Sequence, residues 1–169
     1  TRADLTRVDL TGAKSLTVQY LALIKRLRSV NLTGQNLAGV FLKGVDLTDA
    51  NLTGVSLQGA NLRDANLTDA NLTRALLMDA DLTGASLQGA DLKGASLTRA
   101  DLTRVDLTGA KSLTVEALVL IKSLKSVNLT DQNLAGVFLK GVDLRDANLT
   151  GANLRDANLT NTLLMAADL

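Results

Sequence analysis

No cysteine, histidine, tryptophan or proline occurs in these 169 residues, and the aromatics are one Tyr and two Phe. Without Cys there is neither a disulfide framework nor thiolate chemistry. Nothing calls for an oxidising compartment, so a cytoplasmic setting is expected. Without His or Cys the ordinary zinc ligands and the commonest general base are missing. A formal net charge of +1 supplies no strong field to steer nucleic acid or a membrane surface. No apolar run approaches the roughly 18 residues of a membrane span, and no secretory leader is visible. The first residue is Thr and not Met, which reads as a processed or trimmed piece.

What is present is leucine at every fifth position. It runs through Leu5 and Leu10, then from Leu32 to Leu107, then from Leu129 to Leu169, giving 27 repeats. Two residues before most of these leucines stands Ala or Val, such as Ala60 or Val40, and directly before them Asp, Asn or Ser. All 13 glycines fall two residues after a central Leu. On an α-helix, leucines five apart would step by roughly 140° and smear around the cylinder. In an extended segment Ala and Leu share one side, but five is odd, so an unbroken strand would invert every second repeat. The chain must therefore turn once per repeat, at the position where Gly collects, because Gly tolerates positive φ. Fixed-period repeats of this kind build solenoids.

Runs such as Ala60-Asn61-Leu62-Arg63-Asp64 and Ala80-Asp81-Leu82-Thr83-Gly84 resemble the pentapeptide-repeat proteins, whose motif is A(D/N)LXX. The resemblance covers about 135 residues. It implies an all-β solenoid: a right-handed quadrilateral parallel β-helix with 20 residues per coil. Twenty-seven sides then make about seven coils and a rod of roughly 30 Å at the ordinary strand spacing. The whole of 1–169 reads as a single domain.

Residues 1–72 align without gaps on 98–169, with 18 differences, six of them in the first 47 pairs. Such close copies fit recent duplication or engineering. Each copy breaks the beat once, reading as one repeat plus an insert at 13–29 and at 110–126. Val18, Leu21, Ile24 and Leu27 have helical spacing, Thr17 and Thr114 are placed as N-caps, and Lys or Arg fills the last turn. Two short α-helices are expected. Sixteen repeats separate the inserts, four whole turns, so both helices leave the same corner if neither insert uses up a side.

A helix this short needs a dock. Phe41 and Phe138 occupy the outward position before a central Leu, at the same distance after each insert, and are candidate helix-docking or interface residues. Gln35 and Gln132 replace an inward Ala and should bond backbone where the chain leaves the coil. Leu76 with Met78, and Leu163 with Met165, interrupt the polar outward pattern and are candidate interface residues. The second pair lies in the last coil, where the array stops uncapped at Leu169 and exposes unpaired backbone edges.

No catalytic, cofactor-binding or metal-binding residue is expected, because every carboxylate sits at a position the repeat itself explains. The inserts hold a charge of +6, leaving −5 on the prism. The resemblance implies that some members mimic acidic DNA and protect type II topoisomerases, but a prism this weakly charged is a poor mimic. The sequence therefore reads as a non-enzymatic structural scaffold or protein-interaction module that self-associates as a homodimer or by end-to-end stacking, or else binds another protein. No small-molecule substrate or membrane is implied, and nucleic acid is disfavoured. The alternative is a DNA-mimic regulator of a type II topoisomerase.

Overall fold

A turn in every repeat leaves too little extended backbone for a long strand, so pairing has to come from neighbouring turns of the coil. A computed structural model of the chain describes residues 5–11, 26–113, 121 and 123–169. Among these, parallel bridges join residues 20 apart, as in Asn61↔Asp81 and Asp81↔Asp101. Four five-residue sides therefore close one coil of a β-helix.

The hydrogen bonds of one repeat show why its letters are what they are. Leu62 N–H donates to the Asp81 carbonyl at 2.8 Å and Asp64 N–H to the Thr83 carbonyl at 2.9 Å, both in the next coil. Asn61 N–H donates to the Val40 carbonyl at 2.9 Å in the previous coil, and Ala65 N–H closes the turn on the Leu62 carbonyl at 3.1 Å. The remaining N–H, that of Arg63, donates to Asn61 Oδ1 at 3.2 Å. A side-chain acceptor before most central leucines satisfies the one amide that the ladders leave free, hence Asp, Asn or Ser there. The second turn residue has positive φ throughout, whether glycine or not: Gly84 at 71°, Asp64 at 56°, Arg74 at 58° and Ala166 at 59°. Every central Leu from Leu32 to Leu107 is buried, as the frame predicts, and the core extends to Leu149.

Following the bridges sorts the central residues into four faces. Face 1 carries Leu27, Leu47, Leu67, Leu87, Leu107, Leu129 and Leu149; face 2 carries Leu32, Leu52, Leu72, Leu92, Leu134 and Leu154. Face 3 carries Leu37, Leu57, Leu77, Leu97, Leu139 and Leu159; face 4 carries Leu42, Leu62, Leu82, Leu102, Leu124, Leu144 and Leu164.

Three expectations about the inserts are corrected. The bridges Asp9↔Asn31 and Asp106↔Asn128 each span 22 residues. A turn carrying an insert is therefore one coil with two additional residues, not one repeat plus 17, and the insert takes up sides. The inserts read at 13–29 and 110–126, whose helices were expected to begin after Thr17 and Thr114, also lose their ends to the coil. Leu27 and Leu124 are fully buried; their N–H groups donate to Asp46 and Asp143 carbonyls at 2.7 and 3.1 Å. Lys111 pairs with Asp91 in the same way. Those leucines fit helical spacing and the five-residue frame equally well, and the coil offers a backbone partner that a helix end does not. The middles of both inserts, with Thr17 and Thr114, lie outside the described residues.

Finally, equivalent positions of the two copies do not share a face: Leu27 lies on face 1 and its counterpart Leu124 on face 4. The expected common corner is replaced by an offset of one face. Because the insert-bearing turns count as whole coils, the ladder from Leu5 to Leu169 makes eight turns, not seven. At the strand spacing that is a length of about 38 Å.

Candidate interaction surfaces

The inward positions are filled almost entirely by Leu, Ala and Val, with Gln35, Gln132 and Thr162 the polar exceptions among the described residues, so any function is carried chiefly by the outward positions and the corners. Among the described residues five large outward apolar side chains are exposed: Phe41 and Phe138 at 53% each, Leu76 at 43%, Leu163 at 51% and Met165 at 72%. Met78 is half-buried. The bridges place Phe41 on face 4 with Asn61, and Phe138 on face 3 with Asn158. The two phenylalanines point in perpendicular directions, and the insert middles expected to cover them lie outside the described residues. Leu76 and Met78 share one rung of face 3; Leu163 and Met165 share one rung of face 4, directly after Asp143. These six residues form no single site. Leu169, also exposed, escaped the sequence reading because it counts as a central Leu of the frame.

Gln35 and Gln132 do what the sequence suggests. Gln35 Nε2 donates to the Leu10 carbonyl at 2.6 Å and Gln132 Nε2 to the Leu107 carbonyl at 3.1 Å, the last regular leucines before each insert. A shallow cleft of about 350 Å³ opens beside the second of these, lined by Gly109, Ala110, Ser112, Leu113, Asp131, Gln132 and Asn133.

Asp79, Asp81 and Asp143 are held ionised by their hydrogen bonds. Arg145 grips Asp143 through two bonds, at 2.9 and 2.7 Å, which brings the carboxyl down to about 2. Asp79 is lowered by a hydrogen bond from Arg99, whose Nε and Nη2 both lie at 2.7 Å. For Asp81, partial burial works upward but is outweighed by bonds from Thr83 and Arg63. A general acid needs the opposite displacement. Among the described residues no group of three or more Asp, Glu, His or Cys could hold a metal ion, and no helix is long and apolar enough to cross a membrane. The Asp79–Arg99 pair was missed from sequence; the signal was a spacing of 20 between two corner residues of opposite charge.

The coil also redistributes charge. Arg26, Arg28, Lys111 and Lys125, read as insert residues, stand in coil register, so the prism is close to neutral and not at −5.

A family model described as pentapeptide repeats matches residues 26–64, 46–84, 75–111 and 123–161, with eight copies. Among solved structures, HetL from Nostoc sp. strain PCC 7120, a pentapeptide repeat protein involved in heterocyst differentiation regulation, is 32% identical. The match covers 83% of this chain and 68% of HetL, with a TM-score of 0.38. Rfr23 from Cyanothece 51142 is 27% identical over 82% of this chain and 86% of its own, at a TM-score of 0.40. A trypsin-treated form of QnrB1, a plasmid-mediated fluoroquinolone resistance protein, is 17% identical over 100% and 86%, at 0.42. No curated protein matches.

Proposed function

Because the chain belongs to the pentapeptide-repeat family, we propose that it is a non-enzymatic scaffold that acts through protein–protein contact and self-associates through its C-terminal coil. The coil is taken as right-handed, with short helices completing the two inserts. The observation that carries the reading is the rung of Leu163 and Met165. Both outward positions of one side are apolar and more than half exposed, where the same positions one coil earlier hold the ion pair of Asp143 and Arg145. A large exposed apolar pair beside a charged rung has the composition of an interface centre with a polar rim. The near-neutral prism and the hydrogen-bonded carboxylates of Asp79, Asp81 and Asp143, all lowered in pKa, support contact over catalysis, and the near-neutral charge speaks against imitation of a polyanion.

Light scattering across a concentration series tests this. The wild-type chain should show a reversible rise in mass, and the double variant Leu163→Ser, Met165→Ser should remain a monomer over the same range. A double variant that associates as the wild type does would remove the C-terminal coil from the reading. Potent inhibition of a type II topoisomerase by the monomeric variant would replace it with the DNA-mimic alternative.

A further inference from the structure

Between Asn36 and Thr98, face 3 differs from its neighbours. Its eight outward positions carry no Asp, Glu, Lys or Arg, whereas over the same coils each other face carries at least two, as Asp91 and Lys93 on face 2 and Lys43, Arg63, Asp81 and Asp101 on face 4. Leu76 and Met78 sit on the third of its four rungs, with Ser56 and Gln58 on one side and Ser96 and Thr98 on the other. The two corners bounding this strip are also unusual. Gly34 and Gly54 precede it and Gly39 and Gly59 follow it, and a Cβ at any of the four would meet nothing within 4 Å. On the apolar rung the corners become Arg74 on one side and Asp79 on the other. Among the described residues Arg74 takes part in no ion pair.

We propose that this strip pairs with the same strip of a second copy, the two rods lying parallel about a two-fold axis that runs along them. Such an axis keeps height and exchanges left with right. The position before each central Leu then faces the partner's position after it, and each leading corner faces the partner's trailing corner. Leu76 meets the partner's Met78, and Arg74 meets the partner's Asp79, whose carboxylate already holds Arg99 of its own chain through two bonds of 2.7 Å and would be shared between the two guanidinium groups; each contact occurs twice by symmetry. Gly54 meets the partner's Gly59, so bare corners coincide with bare corners and let the flat faces approach the usual 10 Å of stacked sheets. In the antiparallel alternative centred on the same rung, Arg74 would lie against its own symmetry mate, a like-charge contact. The charges therefore select the parallel arrangement, in an isologous contact that closes at two.

Four rungs at the strand spacing cover roughly 19 Å by 10 Å, well short of the roughly 800 Å² per partner of a stable complex. The pairing is consequently weak and reversible. It shares with the proposed function the premise that the chain self-associates, but it uses another face and other residues, so the two fail separately.

The test is sedimentation velocity on the full chain over a wide concentration range. Arg74→Asp and Asp79→Arg should each weaken association at least tenfold. An equimolar mixture of the two variants should recover wild-type strength, because each altered corner then faces an opposite charge. Circular dichroism melts confirm that both variants are folded; the corner accepts Asp and Arg elsewhere in the chain, as at Asp64 and Arg99. A mixture no stronger than either variant alone overturns the proposal. Association abolished by Leu163→Ser, Met165→Ser yet indifferent to Arg74→Asp overturns it while upholding the C-terminal coil. A wild-type chain that is monomeric at every concentration overturns both.

Discussion

Replacing Leu67 by Ala probes the rod at mid-length. Leu67 is fully buried on face 1, between Leu47 and Leu87, which are equally buried. Removing its isobutyl group costs the transfer free energy of the lost atoms plus a contribution from the cavity left behind, and how far the site collapses sets the second part. Here collapse is resisted from every side. Leu67 N–H is tied to the Ser86 carbonyl at 2.8 Å, its own carbonyl accepts from Ala70 at 3.0 Å, and the rungs above and below are tied in the same way. The side cannot move inward without breaking ladders to both neighbours, so the cavity persists and the loss belongs in the upper part of the usual range, about 3–5 kcal/mol. Leu159, in the last coil and only partly buried, should cost less than half as much on the same change, because part of its surface is already open. Chemical denaturation followed by far-ultraviolet circular dichroism gives both values from midpoints at constant m. A loss at Leu67 below about 1 kcal/mol, or one no larger than at Leu159, would refute the argument that the ladders hold the cavity open.

Three further outcomes follow from particular residues. Gly54→Ala meets no neighbour, while Gly84→Ala puts a Cβ 2.6 Å from Asp64 Oδ1; both should lose about 1 kcal/mol to the left-handed backbone, Gly84→Ala should lose more, and Asp64→Ser should remove the excess in a double-mutant cycle. Gln132→Leu should change stability by less than about 1 kcal/mol, because the Leu107 carbonyl keeps its bond from Ala110 N–H at 2.9 Å; a thermal melt showing a loss above about 2 kcal/mol would mean that the amide is a structural tie. Asp143, lowered to about 2 by Arg145, binds its proton less readily folded than unfolded, so its contribution to stability is complete above the ordinary carboxylate range and fades as pH falls through about 2; carboxyl NMR titration should find that midpoint, and Arg145→Ala should return it towards 3.8.

The core was legible because a period of five with alternate apolar positions admits only one inward set, and Leu32 to Leu107 obey it without exception. The corners were legible for a similar reason, since Gly collects where φ must be positive. Gln35 and Gln132 betrayed themselves as amides at apolar positions. The ends of the inserts were not legible. Leu27 and Leu124 satisfy two periodicities at once, and only the backbone partner waiting in the next coil decides between them. Which face a residue occupies was hidden for the same reason. It depends on how many sides each insert consumes, and that number is carried by the bridges of its flanks, not by its letters. Phe41 and Phe138 are outward and exposed, as read; each keeps the same position relative to the end of its own insert, three sides along the coil from Leu27 and Leu124, while the insert middles they were expected to dock lie outside the described residues. The uncharged strip on face 3 was legible in principle, since a coil of 20 residues already stacks Asn36, Ser56, Leu76 and Ser96, but only the bridges of the structure drew it as one surface.

The two additional residues in each insert-bearing coil have a consequence for growth by duplication. One copy of the 97-residue offset advances the chain by four and three-quarter turns, not by a whole number. A further tandem copy would therefore set its features a quarter-revolution from the last, like treads on a spiral stair. Four copies would be needed before any feature stood directly above its own original, about 90 Å along at the strand spacing. Lengthening the rod by this unit spreads equivalent surfaces around its circumference and keeps them from aligning into one continuous adhesive edge.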